Sequence, residues 1–375
     1  MEAETASTGS PFNFEIVWHV PAGRVSLTTL KIEAREEIWP LKNPFRISRG
    51  SHTEACVVTV SISDGKYTGR GEGAPIARYN QSADSVLALI ESIQVVDDLN
   101  RDKLRQLLPP GAARNALDCA LWDLEAKRSG KRAWELANTS CSRRPAGDAD
   151  SSHSEAATTN TLDPDQVETS FTISLDTPAR MADAAAAAID LPILKLKLCG
   201  DDGDLARVEA VRAAAPNSRL LIDANESWSP RHYRNTVSAL KKLGVELIEQ
   251  PFPADADDVL ETLEHPIPVC ADESCHTTID LPRLKNRYEA INIKLDKTGG
   301  LTEALQLYQR AGKNNFKILI GCMVCTSLSI APARLLTSDA DWIDLDGPLL
   351  LARDRDHGLP YQNGKIGVPE PELWG

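Results

Sequence analysis

From Ser170 onward the chain alternates short apolar runs with amphipathic stretches, and this rhythm limits what it can fold into. The runs are SFTISL, ILKLKL, RLLIDAN, ELIEQP, IPVCADE, AINIKLD, KILIGC and WIDLDG. Between them lie the helical patterns PARMADAAAAAI, DLARVEAVRAAA, PRHYRNTVSALKKLG and LTEALQLYQRAG. Parallel neighbours need a long crossover, usually a helix, so strand–helix alternation predicts a parallel sheet, and eight strands predict a closed (β/α)8 barrel. An open doubly wound sheet is the alternative. Against it, no GxGxxG follows the first strand and no phosphate loop ending in GK plus Ser or Thr is present.

Upstream, TTLKIEAREEIWPL and ACVVTVSISDG read as strands, Ser82 to Ile93 as an amphipathic helix, and GAARNALDCALWDLEAKRSG as a longer helix ending near Gly130. The expected organisation is an N-terminal extension over 1–27, an α+β capping domain over 28–137, and a flexible insertion or linker over 138–168. The barrel follows over 169–347, and a segment over 348–375 returns to the cap. The insertion is read from its Ser, Thr, Ala and Asp content and its scarcity of large apolar residues.

Polar residues at the barrel strand ends are the candidate chemistry, because side chains there line the mouth of such barrels. The second strand ends in Lys195 and Lys197, the third in Asp223 and Asn225, the fourth in Glu249, and the fifth in Asp272 and Glu273. Lys294 and Asp296 end the sixth, and Asp344 and Asp346 the eighth. In a strand, positions i and i+2 share a face, so ILKLKL puts two ammonium groups together. A half-exposed edge strand would explain that pair alone. It would not explain charges recurring on strand after strand.

Three carboxylates on consecutive strands, Asp223, Glu249 and Asp272, would repel severely without a cation. Oxygen donors without His or Cys favour a hard ion such as one Mg2+. The plainer alternative is that these acids cap helices or pair with the lysines. Lys197 and Lys294 flank the carboxylates from opposite sides, an arrangement suited to moving protons on two faces of one bound molecule. An unperturbed lysine has a pKa of about 10.4, so a lysine base must be shifted down toward neutrality. Lys195 is expected to help shift Lys197 and to hold a substrate carboxylate.

Acidic groups outnumber basic ones, 54 to 41, for a formal charge of −13. That balance disfavours nucleic acid and anionic membrane as partners and points to a small molecule, with a homo-oligomer left open. No apolar run reaches the roughly 18 residues of a spanning helix, and MEAETASTGSPFNF lacks the features of a secretory signal, so a cytoplasmic location is expected. Eight scattered cysteines read as reduced residues. Cys322 and Met323, in GCMVC, are placed as pocket-lining residues.

The series KLKL, DAN, EQP, ADES and NIKLDKTGG resembles the enolase superfamily, in particular its muconate-lactonizing branch. That resemblance implies a modified (β/α)8 TIM-type barrel with an α+β cap, and a Mg2+ on Asp223, Glu249 and Asp272. It further implies α-proton removal by Lys197 or Lys294 through an enediolate. Within the branch, GAARNALDCALWDL, ADESCHT, GCMVCTS and DLDGP resemble the L-Ala-D/L-Glu dipeptide epimerases. Asp344 and Asp346 then match the pair that binds a dipeptide's ammonium, and Asn225 and Asp296 are further substrate-side candidates. Family members carry an arginine at the place of His52, where it reads a glutamyl side chain. Here Arg46 or Arg49 could substitute, or the preferred second residue differs. The implied activity is 1,1-proton transfer at the C-terminal residue of a dipeptide. A cycloisomerase or o-succinylbenzoate synthase-like enzyme, or a non-catalytic peptide-binding barrel, are the alternatives.

Overall fold

A computed structural model describes residues 30–93, 98–140 and 166–375. The expected extension over 1–27, and all of the expected insertion except its two ends, lie outside the described residues.

The capping region begins with an antiparallel sheet of three strands, Lys31–Ile47, Gly50–Ser63 and Thr68–Gly73, in consecutive order. Its third strand, TGRGEG, is half glycine for a steric reason. A Cβ on Gly69, Gly71 or Gly73 would lie 2.1–2.2 Å from the backbone oxygens of Ala120, Ala116 and Ala112. The alternate glycines thus let the helix Ala112–Ser129 lie directly on the sheet. Two shorter helices, Ala83–Glu91 and Arg101–Leu107, complete the cap. They start at Ser82 and Asn100, whose side chains accept from the backbone N–H of Ser85 and Lys103.

Eight parallel strands follow in the order of the chain: Phe171–Ile173, Ile193–Lys197, Arg219–Asp223, Val245–Glu249, Val269–Ala271, Ala290–Ile293, Lys317–Gly321 and Trp342–Asp344. Ser170 N donates to Ile343 O at 2.8 Å, joining the first strand to the eighth and closing the barrel. The crossovers are less uniform than the sequence suggests. Helices Pro178–Ala187, Asp204–Ala214, Pro230–Lys242 and Leu301–Lys313 match the four helical patterns. After the fourth strand there is only the 3-10 turn Asp257–Thr262, and after the fifth only the four-residue helix Leu281–Leu284. No described helix is long and apolar enough to cross a membrane.

Strand periodicity sorts the barrel's residues. Leu194, Leu196, Leu220, Ile222, Ile248, Ile291, Ile293, Ile318 and Ile320 join the main apolar core. Their alternates Ile193, Leu221, Leu247, Cys270, Ala290, Leu319 and Trp342 form a separate buried cluster inside the barrel. Two residues further along the same inward face stand Lys195, Asp223, Glu249, Asp272 and Asp344. The interior therefore has an apolar floor with a charged layer above it. The cap helix closes on the sixth strand's end, where buried Arg114 donates to Thr298 O (2.6 Å) and Gly299 O (3.1 Å). The glycine pair Gly299–Gly300 permits this approach, since a Cβ on either would lie within 2.5 Å of Arg114 or Asp118.

Candidate active site

The charged layer opens into a cavity of about 580 Å³ between barrel and cap. Lys195, Lys197, Asn225, Asp272, Lys294, Cys322, Met323, Asp344 and Asp346 line it from the barrel, and Arg49 and His52 from the cap. Both lysines of ILKLKL are buried, Lys195 at 1% exposure and Lys197 at 8%, which removes the edge-strand reading.

Strand register places Lys197 beside Asp223 and Asp223 beside Glu249. The amines lie among the carboxylates. Lys195 Nζ is 2.5 Å from Glu249, 2.6 Å from Asp344 and 3.5 Å from Asp223. Lys197 donates to Asp223 Oδ2 at 2.6 Å, and Lys294 to Asp272 Oδ2 at 2.7 Å, with Glu249 4.0 Å from Lys294. A fourth amine, Lys297, stands 2.6 Å from Asp272 Oδ1 and donates to Asn292 O. Burial alone would favour neutral amines, but Asp344 and Glu249 raise Lys195, and Asp272 and Glu249 raise Lys294, well above the ordinary lysine value. Burial also works against the charged form of Asp223 and Asp272, yet neighbouring ammonium groups hold both below the usual carboxylate range. Glu249 is pushed up, by burial first and then by Asp223.

The three carboxylates suit a hard cation. They are 0–2% exposed, and Glu249 Oε2 and Asp272 Oδ1 have ammonium groups close by but no aligned hydrogen bond. Asn292 donates to Glu249 Oε1 at 2.6 Å, fixing that side chain from behind. Among the described residues a tighter group of donor atoms is Cys199, Asp201 and Asp204. It is already engaged: Asp204 accepts from Trp228, Arg207 and the N–H of Gly200.

The acidic pair on the eighth strand divides its work. Asp344 is held by Lys195 and by Ser170 Oγ–H. Asp346 Oδ2 accepts from Thr172 N at 2.6 Å. Burial, reinforced by Asp344, pushes the Asp346 carboxyl up to about 6.

Four of the residues anticipated from sequence do not line the cavity: Asp223 and Glu249 are buried behind Lys197 and Lys195, with which they pair, and Asp296 and Arg46 point elsewhere. Asp296 points to the cap, where Oδ1 accepts from Ala74 N (2.9 Å) and Asn115 Nδ2 (2.8 Å). Arg46 pairs with Asp176 at 2.6 Å. Conversely, Phe45, Glu54, Cys56, Arg78, Tyr79 and Thr172 line the cavity without a sequence motif to announce them. Phe45, Glu54 and Cys56 had one available signal: with His52 they lie on paired positions of one hairpin.

Fold and site together define a capped (β/α)8-type barrel with a buried charged layer at its mouth. A model of the mandelate racemase / muconate lactonizing enzyme N-terminal domain matches residues 29–137, and one described as enolase C-terminal domain-like matches residues 179–372. The chain belongs to this mandelate racemase / muconate lactonizing enzyme family of the enolase superfamily. It is 42% identical over 341 residues to the L-Ala-D/L-Glu epimerase of Escherichia coli (strain K12), covering 89% of this chain and 98% of that protein. It is also 42% identical over 323 residues to the N-acetyl-D-glutamate racemase of Pseudoalteromonas sp, covering 85% and 95%. Among solved structures, an enolase family member from Agrobacterium tumefaciens with homology to dipeptide epimerases, bound to sodium and L-Ala-L-Glu, is similar at a TM-score of 0.84. That structure is 46% identical, over 92% of this chain and all of the other.

Proposed function

We propose that this chain is an isomerase, a dipeptide epimerase that inverts the α-carbon of the C-terminal residue by 1,1-proton transfer between Lys197 and Lys294. The observation that carries this reading is the placement of both lysines in one cavity, on the second and sixth strands, with the strands of Asp223, Glu249 and Asp272 between them. One amine takes the α-proton, breaking Cα–H and forming N–H. The amine opposite delivers its own proton to the other face of that carbon. Which lysine acts as base depends on which epimer is bound.

Asp223, Glu249 and Asp272 are the residues that would hold a Mg2+. When bound, it would neutralise the carboxylates, removing the negative charge of Asp272 and Glu249 that otherwise raises Lys294 above the range a base needs, and stabilise the negative charge that moves onto the substrate carboxylate. Lys195, fixed as an ammonium by its carboxylates, adds a permanent positive charge beside Lys197. The cavity is within the usual range for small-molecule sites. Asp346 and Asp344, both lining the cavity, form an acidic end suited to a dipeptide's free ammonium.

A second reading, racemisation of an N-acyl amino acid, is favoured by the relative that acts on N-acetylglutamate. L-Ala-Glu is itself an N-acyl glutamate, so the two readings share a reacting carbon and differ only in the ammonium. Comparing kcat/KM for L-Ala-L-Glu and its N-acetyl derivative separates them. A buried charge without its partner costs several kcal/mol, so acetylation should lower kcat/KM by roughly two or more orders of magnitude. Equal turnover of the two would overturn the dipeptide assignment in favour of the N-acyl one.

A further inference from the structure

Two loops of the cap lean over the barrel mouth. One is the hairpin turn between Ile47 and Gly50, and the other is the 3-10 turn Ala77–Tyr79. Both contribute cavity-lining residues, among them Arg49 and Arg78. The two arginines converge on one carboxylate, Glu226, in the loop that follows the third barrel strand. Arg78 grips it with two parallel bonds, Nε to Oε2 at 2.7 Å and a terminal nitrogen to Oε1 at 2.8 Å. Arg49 reaches Oε2 at 3.1 Å.

Glu226 is built to receive them. Its side chain is 7% exposed, and Ala254 N donates to Oε1 at 2.9 Å, fixing the carboxylate from the barrel side. Asn225 and Glu226 both adopt left-handed backbone, φ 44° and 67°. Two successive non-glycine residues seldom do so, and such backbone persists only where surrounding contacts impose it. With the chain turned this way, the Asn225 carbonyl accepts from both Arg49 (2.8 Å) and Ser48 Oγ (3.1 Å) of the hairpin turn. Arg49's remaining branch donates to Glu273 at 2.8 Å. Within this network both guanidinium groups are already satisfied by carboxylates of the barrel.

We propose that Glu226 is a positioning residue that latches both cap loops onto the barrel through Arg49 and Arg78, setting the closed form of the cavity. It does not touch the reacting carbon. Its effect on turnover rests on the dipeptide reading above, whereas its effect on the loops does not.

The full chain is compared with its Glu226→Gln, Glu226→Asp and Arg78→Gln variants by amide hydrogen exchange and by kinetics on L-Ala-L-Glu. Exchange at 47–52 and 77–80 should quicken about tenfold or more in Glu226→Gln and Arg78→Gln, with the barrel strands unchanged, and Glu226→Asp should recover part of the protection. KM should rise about tenfold while kcat falls less. The double variant Arg78→Gln/Glu226→Gln should be no worse than Glu226→Gln alone, because Glu226→Gln already removes the carboxylate that Arg78 grips. Arg78 is 42% exposed, so its variant carries the test even if Glu226→Gln fails to fold. Unchanged loop exchange, or losses that multiply in the double variant, overturns the latch. A protein without activity on the dipeptide whose loops still quicken refutes the substrate and retains the latch.

Discussion

Lys197 and Lys294 are alike in chemistry and differ in company. Lys197 faces Asp223 and lies 5.9 Å from the ring of Phe45 in the cap, whereas Lys294 is wedged between Asp272 and Glu249. Each therefore addresses the cavity from its own side. Replacing either by alanine should lower epimerisation by at least the roughly 10²–10⁴-fold that acid–base catalysis contributes. The surviving lysine should still exchange the α-hydrogen of one epimer. Loss of exchange from both epimers in both variants would contradict the two-sided arrangement.

The proposed specificity also rests on single residues. Arg46 is spent on Asp176, and Arg49 on Glu226 and Glu273, so neither offers a free guanidinium to a substrate's side-chain carboxylate. His52, across the hairpin from Phe45, stands at the cavity wall with no side-chain hydrogen bond among the described residues. Dipeptides with an uncharged second residue should therefore compete well with Ala-Glu. His52→Arg should raise the kcat/KM ratio of Ala-Glu over an uncharged partner about tenfold or more, the scale of one charged hydrogen bond. An unchanged ratio would remove His52 from specificity. The strand-end charges are legible in the sequence because period two puts them on one face. Glu226 and Tyr79 are not, since each lies in a loop and gains its role only where cap meets barrel.

At the scale of elements, the joint between the cap and the sixth strand carries its own titration. Asp296 is buried there, and burial pushes its carboxyl up to about 7 despite the bonds from Ala74 and Asn115. The unfolded chain titrates near the ordinary value of about 3.9. Between those values the folded protein keeps a proton that the unfolded chain releases, so stability falls as pH rises, and the loss is complete above about 7. In Asp296→Asn the amide oxygen can accept both bonds without ionising. The melting temperature of the variant relative to the native protein should rise from pH 5 to pH 8, and a constant difference would contradict the assignment. The expectation from sequence that Asp296 meets substrate came from its place two residues after Lys294. The chain leaves the strand at Ile293 and turns into the helix Leu295–Thr298, which breaks the period-two rule at that point. The missing crossover helices have a similar origin: ADADDVLET and DLPRLKN are too short or too polar for an amphipathic stripe, so periodicity is silent there.

For the molecule as a whole, cap, barrel and chain end form one assembly. Arg132 donates to the carbonyls of Pro369 and Gly375, and Trp374 Nε1 to Cys119 O, so the last residues sit under the cap helix. The individual contacts are not visible in a local pattern, because each joins positions more than 200 residues apart. The barrel was legible for the opposite reason, being built from repeated neighbouring units. The central claim is proton transfer at one carbon by two amines, and it is tested by incubating the protein with L-Ala-L-Glu in deuterium oxide with Mg2+, then with excess chelator, following the glutamyl α-position by NMR. With Mg2+, deuterium should enter that carbon as L-Ala-D-Glu accumulates, and the chelator should stop both. Epimer that forms while retaining its original α-hydrogen, or a dipeptide unchanged in both mass and configuration, would contradict the account.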